Sequence, residues 1–156
     1  MEYIIKYLNE NQKTISTMES ASGGFLASSI TNISGSSLVF KFGAVTYSNE
    51  FKIKMGVSKE IIDNHSVYSL DTACDMSLKI SEFTNSDYGV GVTGKINSPD
   101  PSNHFGDDST IYLSIYDRIN GEYYTKVITA KNQSREQNKK LIVLEFIELF
   151  KSIIKE

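Results

Sequence analysis

The stretch Glu19-Ser20-Ala21-Ser22-Gly23-Gly24 combines a hydroxyl with two glycines immediately before a helical pattern. Glycines let the backbone approach a ligand closely, and the first turn of a helix offers N–H groups that favour negative charge. A serine placed there could act as a nucleophile, with backbone N–H groups beside it to hold an oxyanion. A plain capped turn accounts for the same residues, since serine and glycine are what helix starts prefer. The segment is neither a G-x-S-x-G elbow nor a P-loop, because the closing Lys-Ser/Thr pair is missing.

A serine nucleophile needs a base. His65 and His104 are the only histidines, and neither sits in a local signature. Both read more simply as surface or capping residues than as ligands. A lysine can replace histidine when desolvation leaves its amine neutral. Tyr47 and Lys52, in Thr46-Tyr47-Ser48-Asn49-Glu50-Phe51-Lys52, could point into one cleft, with the phenol relaying the proton. A solvated Lys52 and an edge Tyr47 fit the spacing equally well. Arg135 could clamp a phosphate or carboxylate, or be an ordinary helix-surface charge. Asp100, Asp107 and Asp108 match no calcium-loop spacing, so no metal is expected.

These residues need elements to position them. The spacing predicts a helix over residues 1–12, a strand over 14–18 and a helix over 24–31. A strand over 40–48, broken at Gly43, and short helices over 49–55 and 59–64 follow. Next come a helix over 70–83, a strand over 88–93 and a long loop over 94–109. Strands over 110–116 and 123–130 read as a hairpin around Asn120-Gly121, which tolerates the positive φ of a tight turn. The last helix, over 134–154, opens with Ser134 and Gln137, the pattern of a capping box. Helices alternating with strands early and a hairpin late imply one α/β domain with a mixed sheet covered on both faces. In such sheets ligands settle at the carboxyl ends of strands, which directs attention to residues 19–24, 46–52 and 93–109.

Composition bounds the function. The chain has 156 residues, 40% hydrophobic and 22% charged, with a formal net charge of −3. Without a basic excess, capture of a nucleic-acid backbone is not expected. No apolar run reaches the length of a membrane span, and the single cysteine, Cys74, fits a reducing, cytoplasmic setting.

Taken together and in order, the segments resemble the CinA C-terminal domain family, the nicotinamide-nucleotide amidohydrolases. That family's A-E-S-C-T-G-G turn stands here as Met18-Glu19-Ser20-Ala21-Ser22-Gly23-Gly24. Its D-x-x-G-S-S segment stands as Asn32-Ile33-Ser34-Gly35-Ser36-Ser37. Its G-x-V-x-Y-S-N-E-x-K segment stands as Gly43 through Lys52. The resemblance runs from about Thr14 to the C-terminus. It implies a three-layer α/β/α domain over residues 1–156, a homodimer, and no metal or cofactor. It implies hydrolysis of the carboxamide of nicotinamide mononucleotide to nicotinate mononucleotide and ammonia. Ser20 would then be the nucleophile, with Tyr47 and Lys52 as its activating pair. Glu19, Ser22, Gly23, Gly24, Thr93, Gly94 and Arg135 would bind the substrate, with Lys139 at a second basic position.

The departures from the pattern are local. H-G-A-V-S becomes His65-Ser66-Val67-Tyr68-Ser69, and T-G-I-A-G-P becomes Thr93-Gly94-Lys95-Ile96-Asn97-Ser98. The following glycine-rich stretch becomes Asp100-Pro101-Ser102-Asn103-His104. Side chains in place of glycines reshape a ligand loop. The alternative reading is therefore a diverged, non-catalytic relative that binds a nucleotide or a protein.

Overall fold

Alternation along Tyr88-Gly89-Val90-Gly91-Val92 sorts large residues to one side of a strand and glycines to the other, and the two sides receive different helices. The computed structural model describes residues 1–154; the last two residues of the expected domain, 155 and 156, lie outside it. Helix α1 (Glu2–Glu10) leads into β1 (Ile15–Glu19) and α2 (Phe25–Thr31). A 3-10 turn (Ser36–Leu38), β2 (Phe40–Val45), α3 (Asn49–Lys54), α4 (Lys59–His65) and α5 (Leu70–Thr84) follow. Strands β3 (Tyr88–Gly94), β4 (Thr110–Asp117) and β5 (Glu122–Thr129) precede α6 (Arg135–Ile153).

The sheet runs β2-β1-β3-β4-β5. The first three strands are parallel, while β4 and β5 each run antiparallel to the strand before. This is the expected mixed α/β sheet. Tyr88, Val90 and Val92 join Ile111, Leu113 and Ile115 of β4 in a core closed by Ile4, Ile5 and Leu8 of α1 and by Ile142, Phe146 and Phe150 of α6. A smaller core on the opposite face gathers Met18, Val57, Ile62, Val67, Met76 and Ile80.

Helix α5 lies against the glycine side of β3. A Cβ on Gly91 would stand 2.3 Å from the Ala73 carbonyl oxygen, and one on Gly89 would stand 2.0 Å from that of Ser77. The helix answers with small side chains: Ser77 Oγ meets Ser114 Oγ of β4 at 2.9 Å. This close seating brings Val67 and Tyr68, just ahead of α5, up to the end of the sheet.

Two of the boundaries that differ from expectation shape the site. Strand β2 stops at Val45 rather than Ser48 because Ser48 caps α3, accepting the Phe51 N–H at 3.2 Å. Glu19 belongs to β1 rather than to the turn, since it pairs with both Val45 and Val92. The Ser134–Gln137 capping box forms as expected.

Candidate functional site

Strand β1 delivers Ser20 to the sheet's carboxyl end. The Ser20 N–H donates to the Val92 carbonyl at 2.9 Å, and its own carbonyl accepts the Gly23 N–H at 2.9 Å, closing a tight turn. Gly23 and Gly24 take φ of +60° and +91°, a region where glycine is at little cost. A side chain on Gly23 would also meet Lys139 Nζ at 3.1 Å.

Glu19 holds this turn from beneath. Its buried carboxylate accepts the Ser22 hydroxyl at 2.7 Å, the Leu26 N–H at 2.9 Å and the Ala27 N–H at 3.0 Å. The first-turn donors of α2 are thus occupied by the protein's own carboxylate. The side chains of Glu19 and Ser22, residues expected to bind substrate, brace the loop that presents Ser20. Thr93 behaves likewise: buried, it donates its hydroxyl to the Val67 carbonyl at 2.9 Å.

The base arrives from α3. Lys52 is 2% exposed, and its Nζ lies 2.7 Å from the Thr46 carbonyl and 3.1 Å from Ser20 Oγ. Ser20 itself is 6% exposed. Burial drives the Lys52 amine down from 10.5 to about 8, with the Asp100 carboxylate pulling the other way. Desolvation disfavours the ammonium, so a useful fraction of the amine is neutral near neutral pH. The pair can therefore do what a serine and a general base do, which is to generate an alkoxide-like nucleophile.

Tyr47 contacts Arg135 rather than the Ser20–Lys52 pair. It is 66% exposed, and its hydroxyl faces Arg135 Nη2 at 3.5 Å. Lys52 reaches Ser20 directly, so the hydrogen bond between them needs no phenolic relay. Tyr47 nonetheless lines the same cavity as Ser20, together with Gly94 and Arg135. Arg135 opens α6 and donates from Nη1 to the Ile96 carbonyl at 3.0 Å. The cavity measures about 220 Å³.

Three further residues of its wall, Tyr68, Lys95 and Asp100, were not singled out by spacing as site residues. The Tyr68 hydroxyl donates to Asp100, and Lys95 Nζ lies 5.1 Å from the Tyr68 ring centroid. Burial, then the bond to Asp100, pushes the Tyr68 phenol up. All three fall in segments where the family pattern is lost, which was the available signal. His65 and His104 are exposed, as expected. Among the described residues no group of three or more His, Cys, Asp or Glu side chains could hold a metal, and no helix is long and apolar enough to cross a membrane.

A mixed sheet covered on both faces, with a buried serine–lysine pair at its carboxyl end, defines a three-layer α/β domain. The comparisons then give its lineage: the family model "CinA C-terminal domain" matches residues 1–154, and the chain belongs to that family. A putative competence-damage inducible protein of Alkaliphilus metalliredigens (strain QYMF) is 35% identical over 139 residues, 88% of this chain and 33% of that protein. One from Thermoanaerobacter sp. (strain X514) is 39% identical over 94 residues, 60% of this chain and 23% of that protein. The chain thus spans a third or less of these relatives' length. The crystal structure of competence/damage inducible protein CihA from Agrobacterium tumefaciens superposes with a TM-score of 0.81 at 27% identity, covering 94% of this chain and 91% of that one.

Proposed function

We propose that the protein is an amidohydrolase acting on the carboxamide of nicotinamide mononucleotide. Ser20 Oγ attacks the amide carbon while neutral Lys52 Nζ takes the hydroxyl proton. The N–H groups of Ala21 and Ser22, which the turn's own hydrogen bonds leave unused, are the donors nearest the developing oxyanion in sequence. Collapse of the tetrahedral intermediate breaks the C–N bond, and the Lys52 ammonium returns its proton to the departing nitrogen as ammonia. Water, deprotonated by the same amine, then hydrolyses the acyl ester and restores Ser20. Arg135 at the cavity mouth takes the phosphate. Tyr47, beside Arg135, orients that group rather than relaying protons. The reading carries with it a cytoplasmic setting, expected from the lone Cys74, and a homodimer, expected from the family resemblance.

The single observation that carries the reading is the 3.1 Å approach of a buried, desolvated amine to the Ser20 hydroxyl. Ammonia release from nicotinamide mononucleotide tests it. Ser20→Ala abolishes release while leaving the fold intact, and Lys52→Met loses nearly as much because the two act as one unit. Undiminished turnover in Ser20→Ala ends the serine mechanism. A ligand-induced rise in melting temperature without any ammonia from the intact protein favours the non-catalytic binder.

A further inference from the structure

The cavity beside Ser20 contains a carboxylate that forms no direct ion pair. Asp100 is half-buried in its wall, and all its hydrogen-bond partners are neutral. The Tyr68 hydroxyl and Asn103 Nδ2, the latter at 2.8 Å, donate to Oδ2, and the Ser102 N–H donates to Oδ1 at 2.9 Å. Neutral donors stabilise the ionised form without cancelling its charge. Lys95, on the same wall, pairs its Nζ with Asp108 at 3.4 Å and lies over the Tyr68 ring, so its charge and that of Lys52 reach Asp100 without a direct contact. Lys95 and Asp108 together add no net charge. At the mouth, Arg135 donates only to a carbonyl and a phenol, so its positive charge is unpaired as well.

The wall is also held in place. Asn103 Oδ1 accepts Asn49 Nδ2 at 2.9 Å, and Asn49 opens α3, the helix that carries Lys52. Tyr68, Asp100, Asn103 and Asn49 thus form one hydrogen-bonded chain from the turn before α5 to the lysine's helix. The carboxylate is fixed relative to the serine–lysine pair rather than waving from a free loop.

A site with one fixed anion inside and one guanidinium at its mouth is complementary to a ligand with a cation near its reacting amide and an anion farther out. We propose that Asp100 is a specificity-determining residue that selects carboxamides borne on a cationic ring over the same carboxamides on a neutral ring. The choice of ligand rests on the amidase reading; the charge preference does not require turnover.

The test is calorimetric binding to Ser20→Ala protein at mildly alkaline pH, where a dihydropyridine ring survives. The two probes are nicotinamide mononucleotide, whose ring is cationic, and its dihydro form, which keeps carboxamide, ribose and phosphate on a neutral ring. The cationic probe binds at least about tenfold tighter, a factor equivalent to about 1.4 kcal/mol. Asp100→Asn in the same background removes most of that preference without weakening the neutral probe. Tyr68→Phe, which keeps the charge and drops one hydrogen bond, retains the preference. Equal binding of the two probes, no binding of either, an unchanged preference in Asp100→Asn, or an equal loss in Tyr68→Phe overturns the proposal. A clear preference in a protein that releases no ammonia refutes the amidase reading alone. Ammonia release without a preference refutes only the role of Asp100.

Discussion

Replacing Lys52 with methionine should make the folded protein more stable while making it inactive. The fall of the amine from 10.5 to about 8 means that its charged form is disfavoured in the fold. At about 1.4 kcal/mol per pH unit, the penalty is about 3 kcal/mol whenever Lys52 is an ammonium. Methionine has similar length and no charge, so it removes that penalty. It also leaves the Thr46 carbonyl without its 2.7 Å donor, which costs about 1–2 kcal/mol. The net gain at pH 6.5 is about 1–2 kcal/mol, or about 2–8 °C in melting temperature for a chain of this size. The pH dependence is the sharper measurement, because the lost contact cancels from it. Between about pH 8 and 10.5 the unfolded chain binds more protons at this lysine than the folded one, so the parent's stability rises with pH there. Denaturant melts at pH 6.5 and 9.5 should show the variant's advantage shrinking by about 2 kcal/mol. A variant less stable than the parent at pH 6.5, or an advantage that does not change with pH, would refute the account of Lys52 as a desolvated amine.

Ammonia release should climb with pH and level off above about 8, since the neutral amine is the active form; Asp100→Asn should move that rise to lower pH, because the carboxylate favours the ammonium. Ser66 takes φ +76° and ψ 152°, a conformation nearly confined to glycine, so Ser66→Gly should raise stability by about 1 kcal/mol or more in a denaturant melt. Gly91→Ala should cost about 2–3 kcal/mol, since its methyl would overlap the Ala73 carbonyl and lift α5 off the sheet; a melting temperature within about 1 °C of the parent would contradict that packing.

Sequence alone reached the element order, the mixed sheet and the turn that carries Ser20. Those features are local: alternating apolar residues, paired glycines and capping serines act within a few positions. It also brought Ser20 and Lys52 under suspicion together, through a serine's need for a base and through the motif resemblance. What it left open was decided by long-range packing. Ser20 and Lys52 meet because parallel β1 and β2 end side by side, Glu19 opposite Val45, so the turn after β1 and the helix after β2 leave the same end of the sheet. Glu19 became a brace rather than a ligand because α2 folds back over it, seven and eight residues on. Tyr47 looked like a relay because the motif sets it near Lys52, yet it lies beyond the end of β2 at Val45 and its hydroxyl faces Arg135, 88 residues away. Tyr68 and Asp100, 32 residues apart, carry no shared spacing at all. Their meeting depends on α5 lying tight against Gly89 and Gly91, and closeness of that kind is a property of assembled surfaces.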